Sequence, residues 1–271
     1  MKRTTLITLG LSLAACSSST DTQPPTSADY DDTAQAIASS TVTGRNAGGG
    51  GGGGGGDTGA GDVIAMRDAM NLAFGRLPIG FALHGDGRFH CNRMGVDNSL
   101  TVTCKDAAGA TLAKCDKTTD SATVDIAWTG KLETPNFTAT VDRQGSWTIT
   151  GLQSDTATFN GDSSFSLDSS FTSMFRPGET GSATFSNTAS YDAITIATAD
   201  REITGGSATF EVKAHRTVTG SPMGKHDVDK SFDVTAVLTF NADHTATLVL
   251  DGTRTFTIDL ETGKVTRPPS P

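Results

Sequence analysis

SFDVTAVLTFNADHTATLVLDGTRTFTIDLETGKVTR, residues 231–267, alternates apolar and polar side chains with a period of two. Phe232, Val234, Ala236, Leu238 and Phe240 fall on one face of an extended chain, with Asp233, Thr235 and Thr239 on the other. Ala246, Leu248 and Leu250 repeat the pattern, and so do Phe256, Ile258 and Leu260. Successive side chains of a strand point to opposite faces, so the alternation predicts antiparallel strands with one face buried and one wet. The interruptions are turn formers: Asn241-Ala242-Asp243, Asp251-Gly252 and Glu261-Thr262-Gly263. Asp-Gly between two alternating runs is a strong hairpin signal, because both residues tolerate positive φ. The stretch therefore predicts a four-stranded meander.

Working backwards, the same period predicts strands near 99–104, 122–129, 137–143, 146–151, 154–160, 163–168, 182–187, 192–198 and 207–218. The body is expected to be all-β, an antiparallel meander of about twelve strands forming a curled sheet, a sandwich or a barrel. A barrel spanning the outer membrane would need aromatic girdles, and the chain has two Trp and two Tyr. Ahead of the strands, Val63, Met66, Met70 and Phe74 recur at helical spacing. Asp62 can cap this one short N-terminal helix and Gly75 can end it. With only Arg67 as a basic residue within it, the helix is expected to pack on the core rather than lie on a membrane.

The N-terminus carries an address. Lys2 and Arg3 precede an apolar segment from Leu6 to Leu13, which is the layout of an export signal. It closes on Leu13-Ala14-Ala15-Cys16, and this resembles the lipobox of bacterial lipoproteins. The resemblance implies removal of residues 1–15, acylation of Cys16, and a membrane as partner through that lipid. Ser17 follows, and in proteins of this kind serine there implies sorting to the outer membrane, with the body facing the periplasm or the outside. From Ser17 to about Gly61 there is no hydrophobic periodicity, and nine consecutive glycines run from Gly48 to Gly56. Residues 16–61 are accordingly expected to be a lipidated, disordered tether, and residues 62–271 the all-β domain with its leading helix.

Charge narrows the partners. The formal net charge of −9 becomes −11 once Lys2 and Arg3 are removed, and the sequence pI is near 4.9. An acidic chain without clustered Lys and Arg is a poor ligand for nucleic acid, and no such partner is expected. After Cys16, three cysteines remain: Cys91, Cys104 and Cys115. Oxidising conditions outside the cytoplasm allow one internal disulfide. Cys104 with Cys115 closes the shortest loop, and Lys105 to Lys114, with four alanines and a glycine, has the composition of a loop that lets the two approach. The rival is Cys91 with Cys104, which are symmetric about a two-residue turn at Asp97-Asn98.

No constellation for chemistry stands out. His84, Asp86, His90 and Cys91 form one polar cluster, and His226, Asp227 and Asp229 another; neither has metal-knuckle or helical i, i+4 ligand spacing. Gly220-Ser221-Pro222-Met223-Gly224 lacks the spacing of a nucleophile elbow. No catalytic residues, cofactor or metal are expected. The body also resembles Thr-rich, all-β bacterial lipoproteins through Cys104 to Asp106, Cys115-Asp116 and the C-terminal meander, a resemblance that implies no activity. Two functions fit: a non-catalytic envelope lipoprotein whose sheet face or rim meets another envelope component, or a carrier of a small amphiphile in a curled sheet.

Overall fold

The computed structural model describes residues 24–41, 62–77, 81–85, 87–93, 96–220 and 227–267. Cys16, Ser17 and the glycine run lie outside them, as do Asp86 and His226. Twelve strands form one antiparallel sheet in which each strand pairs with its sequence neighbour, and the sheet curls without closing. They are β1 (Ala82–Leu83), β2 (Phe89–Arg93), β3 (Val96–Lys105), β4 (Ser121–Thr134), β5 (Phe137–Thr150), β6 (Thr156–Thr172), β7 (Thr180–Ala197), β8 (Ile203–Thr219), β9 (Val228–Phe240), β10 (Thr245–Leu250), β11 (Arg254–Asp259) and β12 (Val265–Thr266). The C-terminal meander follows the alternation: Val234, Ala236, Leu238, Phe240, Ala246, Leu248, Leu250, Phe256, Ile258 and Leu260 are all buried. Asp251 and Gly252 take φ of 46° and 65° in the β10–β11 turn, and Gly263 takes φ of 70° before β12.

Three expected breaks are absent. The segments expected as 137–143 and 146–151 are one strand, β5; 154–160 and 163–168 merge into β6; and 182–187 and 192–198 merge into β7. The glycines between the first two pairs make room rather than turns. Trp147 is fully buried, and a Cβ on Gly145 would sit 2.4 Å from its ring. A Cβ on Gly161, in the neighbouring strand, would sit 2.8 Å from the Trp147 Cα. In β7 the chain bulges at Asp192–Thr195, which absorbs Ala193 at φ 50° without ending the pairing.

Two helices pack on the apolar face instead of one. α2 (Asp62–Ala73) is the expected helix, with Val63, Met66 and Met70 at 0 % exposure and Gly75 at φ 74° ending it. α1 (Ser27–Thr41) lies inside the stretch expected to be a disordered tether, and corrects that expectation for these residues. A capping box starts α1: the Asp29 N–H donates to Thr26 Oγ1 and the Thr26 N–H returns to Asp29 Oδ2 at 2.6 Å. Tyr30, Ala34, Ile37, Ala38 and Thr41 then line one helical face, all buried against the sheet and α2. The helix needs that surface, since its own apolar content is too small to hold fifteen residues in water.

α1 is also held by charge. Lys230 of β9 donates to both Asp29 carboxylate oxygens at 2.6 and 2.7 Å, Tyr30 donates to Asp251 at 2.8 Å, and the Arg254 guanidinium lies 4.4 Å over the Tyr30 ring. Burial raises the Asp29 carboxyl, but the hydrogen bonds from Lys230 and Thr26 outweigh it and leave the pKa below its usual value. Asp32 goes the other way, pushed up by burial and by the charges of Asp29 and Asp31. A lowered carboxylate pKa stabilises the folded form above about pH 3.9 and loses that contribution as pH falls through the folded value; a raised one has the opposite sign. Asp29→Asn is therefore expected to weaken α1 docking by about 1 kcal/mol and Asp32→Asn to strengthen it. Amide hydrogen exchange across 27–41 at neutral pH reads both, and equal shifts in one direction would contradict the assignment.

The cysteines behave as the loop composition suggests. Cys104 and Cys115 form a disulfide with Cα atoms 5.4 Å apart, and Cys91 is a free, buried thiol. The rival turn does not form, because Asp97 and Asn98 lie inside β3 and Cys91 pairs in register with Asn98. The bridged loop presses on the end of α2, where a Cβ on Gly75 would sit 2.7 Å from the Cys115 carbonyl. Removing the bridge by Cys104→Ala with Cys115→Ala should cost about 3 kcal/mol in urea unfolding, the loop-closure value for about a dozen residues. At 4 % exposure Cys91 should alkylate only in denaturant.

Candidate functional site

The five long strands β4 to β8 are covered by the helices for only part of their length. Toward the disulfide end, their inward residues form the closed core: Val124, Trp147, Phe159, Tyr191 and Phe210 are at most 2 % exposed. At the boundary of that core sits a buried polar knot. Asp62, the first residue of α2, accepts hydrogen bonds from Arg143 of β5, from Ser163 of β6 at 2.9 Å, and from Tyr191 of β7. Asp62, Arg143 and Tyr191 are 3 %, 4 % and 2 % exposed. Burial, then the Asp62 charge, holds the Tyr191 phenol well above its ordinary pKa, so it stays a donor. The knot fixes the start of α2 to three strands, with its carboxylate, guanidinium and phenol all buried.

Past the knot, the inward face continues, with α1 reaching it at the β9 end through Asp29 and Lys230. In register across β5 to β9 run Val141, Leu167, Phe185, Ala214 and Phe232, all half-buried. Trp128 of β4 stacks on Phe165 with centroids 6.3 Å apart, and Phe165 meets Phe185 at 6.1 Å. The next row outward is Leu132, Ala139, Ser169, Ala183, Arg216 and Lys230. Lys230 is engaged by Asp29. Arg216 is not matched in this way: its Nη1 is buried and has no hydrogen-bond partner among the described residues, and burial lowers its pKa. An N–H withdrawn from water without an acceptor costs about 1–3 kcal/mol, so an acceptor placed at Nη1 would be stabilising.

The polar face differs in character. A groove of about 990 Å³ there is lined by small hydroxylated side chains such as Ser146, Ser164, Thr188 and Thr209, with Asp125, Asp162 and Glu211 among them. A second hollow of about 400 Å³ lies where the β4–β5 and β6–β7 hairpins end, around Asn136, Phe137, Phe171 and Gly181. No family model, curated protein or solved structure matches this chain.

The polar clusters noted in the sequence are scattered. His84 and His90 come together, with ring centroids 4.6 Å apart, and His90 lies 3.7 Å from Asp97. His215 meets Asp229 at 2.9 Å on the polar face, and His244 lies 3.5 Å from Glu202 at the other end of the sheet. Among the described residues, no three His, Cys, Asp or Glu side chains gather as metal ligands. Arg216 was not singled out by sequence. Its signal was parity: it continues the face of Ala208, Phe210, Val212 and Ala214, where a charge is out of place.

Proposed function

We propose that this is a lipid-anchored protein of the bacterial cell envelope, held to the outer membrane through Cys16 and serving a non-catalytic binding role through the open part of its sheet. The observation that supports a binding role is the inward apolar face, which runs on beyond the helices and leaves Trp128, Phe165, Leu167, Phe185 and Phe232 half-buried. The anchor rests on the lipobox at Leu13 to Cys16. Metabolic labelling with an alkyne-tagged palmitate, followed by density fractionation of membranes, tests it: label on the wild-type chain in the outer-membrane fraction, lost in Cys16→Ala, is the expected result. An unlabelled wild-type chain, or one in the inner membrane, overturns it.

Arg216 favours a specific form of that role, a binder of a small anionic amphiphile. A fatty carboxylate supplies the two acceptor oxygens that a guanidinium takes bidentately, and its chain suits the neighbouring apolar row. Across β5 to β9 that row spans roughly 19 Å at about 4.8 Å per strand. Titrating a long-chain fatty acid into the unacylated mature chain (Cys16→Ser) should change Trp128 emission, and Arg216→Gln should weaken the binding about tenfold. An affinity unchanged by Arg216→Gln overturns this form of the role.

A further inference from the structure

The longest hairpin, β6–β7, ends in Ser173-Met174-Phe175-Arg176-Pro177-Gly178-Glu179, and here the protein presents apolar side chains outright. Met174 is 70 % exposed and Phe175 90 %. The tip is nonetheless built, not loose. The Ser173 N–H donates to the Glu179 carbonyl at 2.9 Å, the Arg176 N–H to Ser173 Oγ at 3.1 Å, and the Arg176 guanidinium to Glu179 at 3.1 Å. Gly220, just past β8, is packed so closely on the Gly178 carbonyl that a Cβ there would lie 2.1 Å from it. The tip's one carboxylate, Glu179, is buried and paired with Arg176, which is half exposed, so on a chain with a net charge of −9 the surface around Phe175 is apolar and bears no exposed carboxylate of its own. The adjacent β4–β5 hairpin ends beside it, with Leu132 56 % and Phe137 39 % exposed.

The start of α1 lies on the same side. Thr26 is bonded to Asp29, and Asp29 to Lys230, which pairs through Arg216 and Ala183 with Ser169 of β6. From that level the β6–β7 tip lies six or seven residues further along, roughly 20 Å at about 3.3 Å per residue. Ten residues separate Cys16 from Thr26, enough to span up to about 35 Å. An anchor at Cys16 thus reaches the plane of the hairpin tips, and the opposite end of the sheet, with its disulfide loop, faces away.

We propose that the β6–β7 tip is a second membrane contact, with Met174 and Phe175 inserted into the bilayer that Cys16 is anchored to and Arg176 at its phosphate headgroups. This rests on the anchored reading for its orientation. Exposed apolar side chains gain by entering the acyl boundary, a guanidinium there remains among anionic headgroups, and an anchor already at the surface makes a small contact sufficient. The contact would fix the long strands upright and hold the apolar strip just above the lipid.

The test places a tryptophan at the tip. The full mature chain carrying Phe175→Trp is tethered to vesicles of phosphatidylethanolamine and phosphatidylglycerol whose acyl chains are brominated, and Val237→Trp, an exposed site on the polar face, serves as control. Tethering by an N-terminal histidine tag to a nickel-chelating lipid, with Cys16→Ser, makes the result independent of acylation, which the palmitate experiment decides separately. Emission from Trp at 175, after subtracting the unsubstituted chain, should fall about twofold on brominated relative to plain lipid, while that at 237 stays unchanged. Equal quenching at both sites, none at 175, or burial of the tip in a dimer by crosslinking would overturn the proposal.

Discussion

Asp62→Ala is expected to lower the unfolding free energy by about 3–5 kcal/mol, because it leaves the Arg143 guanidinium charged and buried with its carboxylate gone. Arg143→Ala should cost a similar amount by stranding Asp62. Replacing both at once, as Asp62→Leu with Arg143→Met, should recover most of the loss, since a buried pair exchanged for apolar groups of similar size is often nearly neutral. Ser163 and Tyr191 lose their acceptor whenever Asp62 is replaced, so recovery should be incomplete. Urea unfolding of the wild type, Asp62→Ala, Arg143→Ala and the variant carrying both alanines closes the cycle, and additive losses in that double variant would show that the two residues do not act as a pair.

Trp147→Ala should be as damaging, at about 3–5 kcal/mol, since the indole is fully buried in the middle of the main core. The more telling variant is Gly145→Ala. One methyl group at that position would meet the Trp147 ring at 2.4 Å, and the ring must move, at a cost of about 1–3 kcal/mol. In Gly145→Ala with Trp147→Leu the ring is gone, so the added methyl should cost much less than it does beside tryptophan. Thermal unfolding by circular dichroism would measure both steps.

These two sites also mark where the sequence was legible and where it was not. The meander from Phe232 to Leu260 could be read because its information is local: each buried residue is two positions from the next, and each turn carries its own Gly or Asp. The strands were expected to break near Gly145 and Gly161, whereas the positions of these glycines are set by a tryptophan in the same and in the adjacent strand. α1 was hidden by composition. Its buried face consists of Tyr30, Ala34, Ile37, Ala38 and polar Thr41 in a run of Ser, Thr and Asp, although Thr26 and Asp29 at capping-box spacing were a usable signal. Asp62 and Arg143 are 81 residues apart, and no pattern in either neighbourhood names the other. The apolar strip was partly legible, since Phe232 was placed on the apolar face of its strand, but its exposure depends on where the helices stop. That length is decided by tertiary packing.

The contacts of α1 also set an order of events. Every strand pairs with the one made just before it, so hairpins from β1 onward can form as the chain is delivered. α1 is made before all of them, yet it rests on β9, β10 and β12 and is tied to Lys230, Asp251 and Arg267. The earliest structured residues therefore find their place among the last. Until the final forty residues have been delivered, the stretch from Thr26 to Thr41 has only α2 to rest on and lacks the strands that bury it.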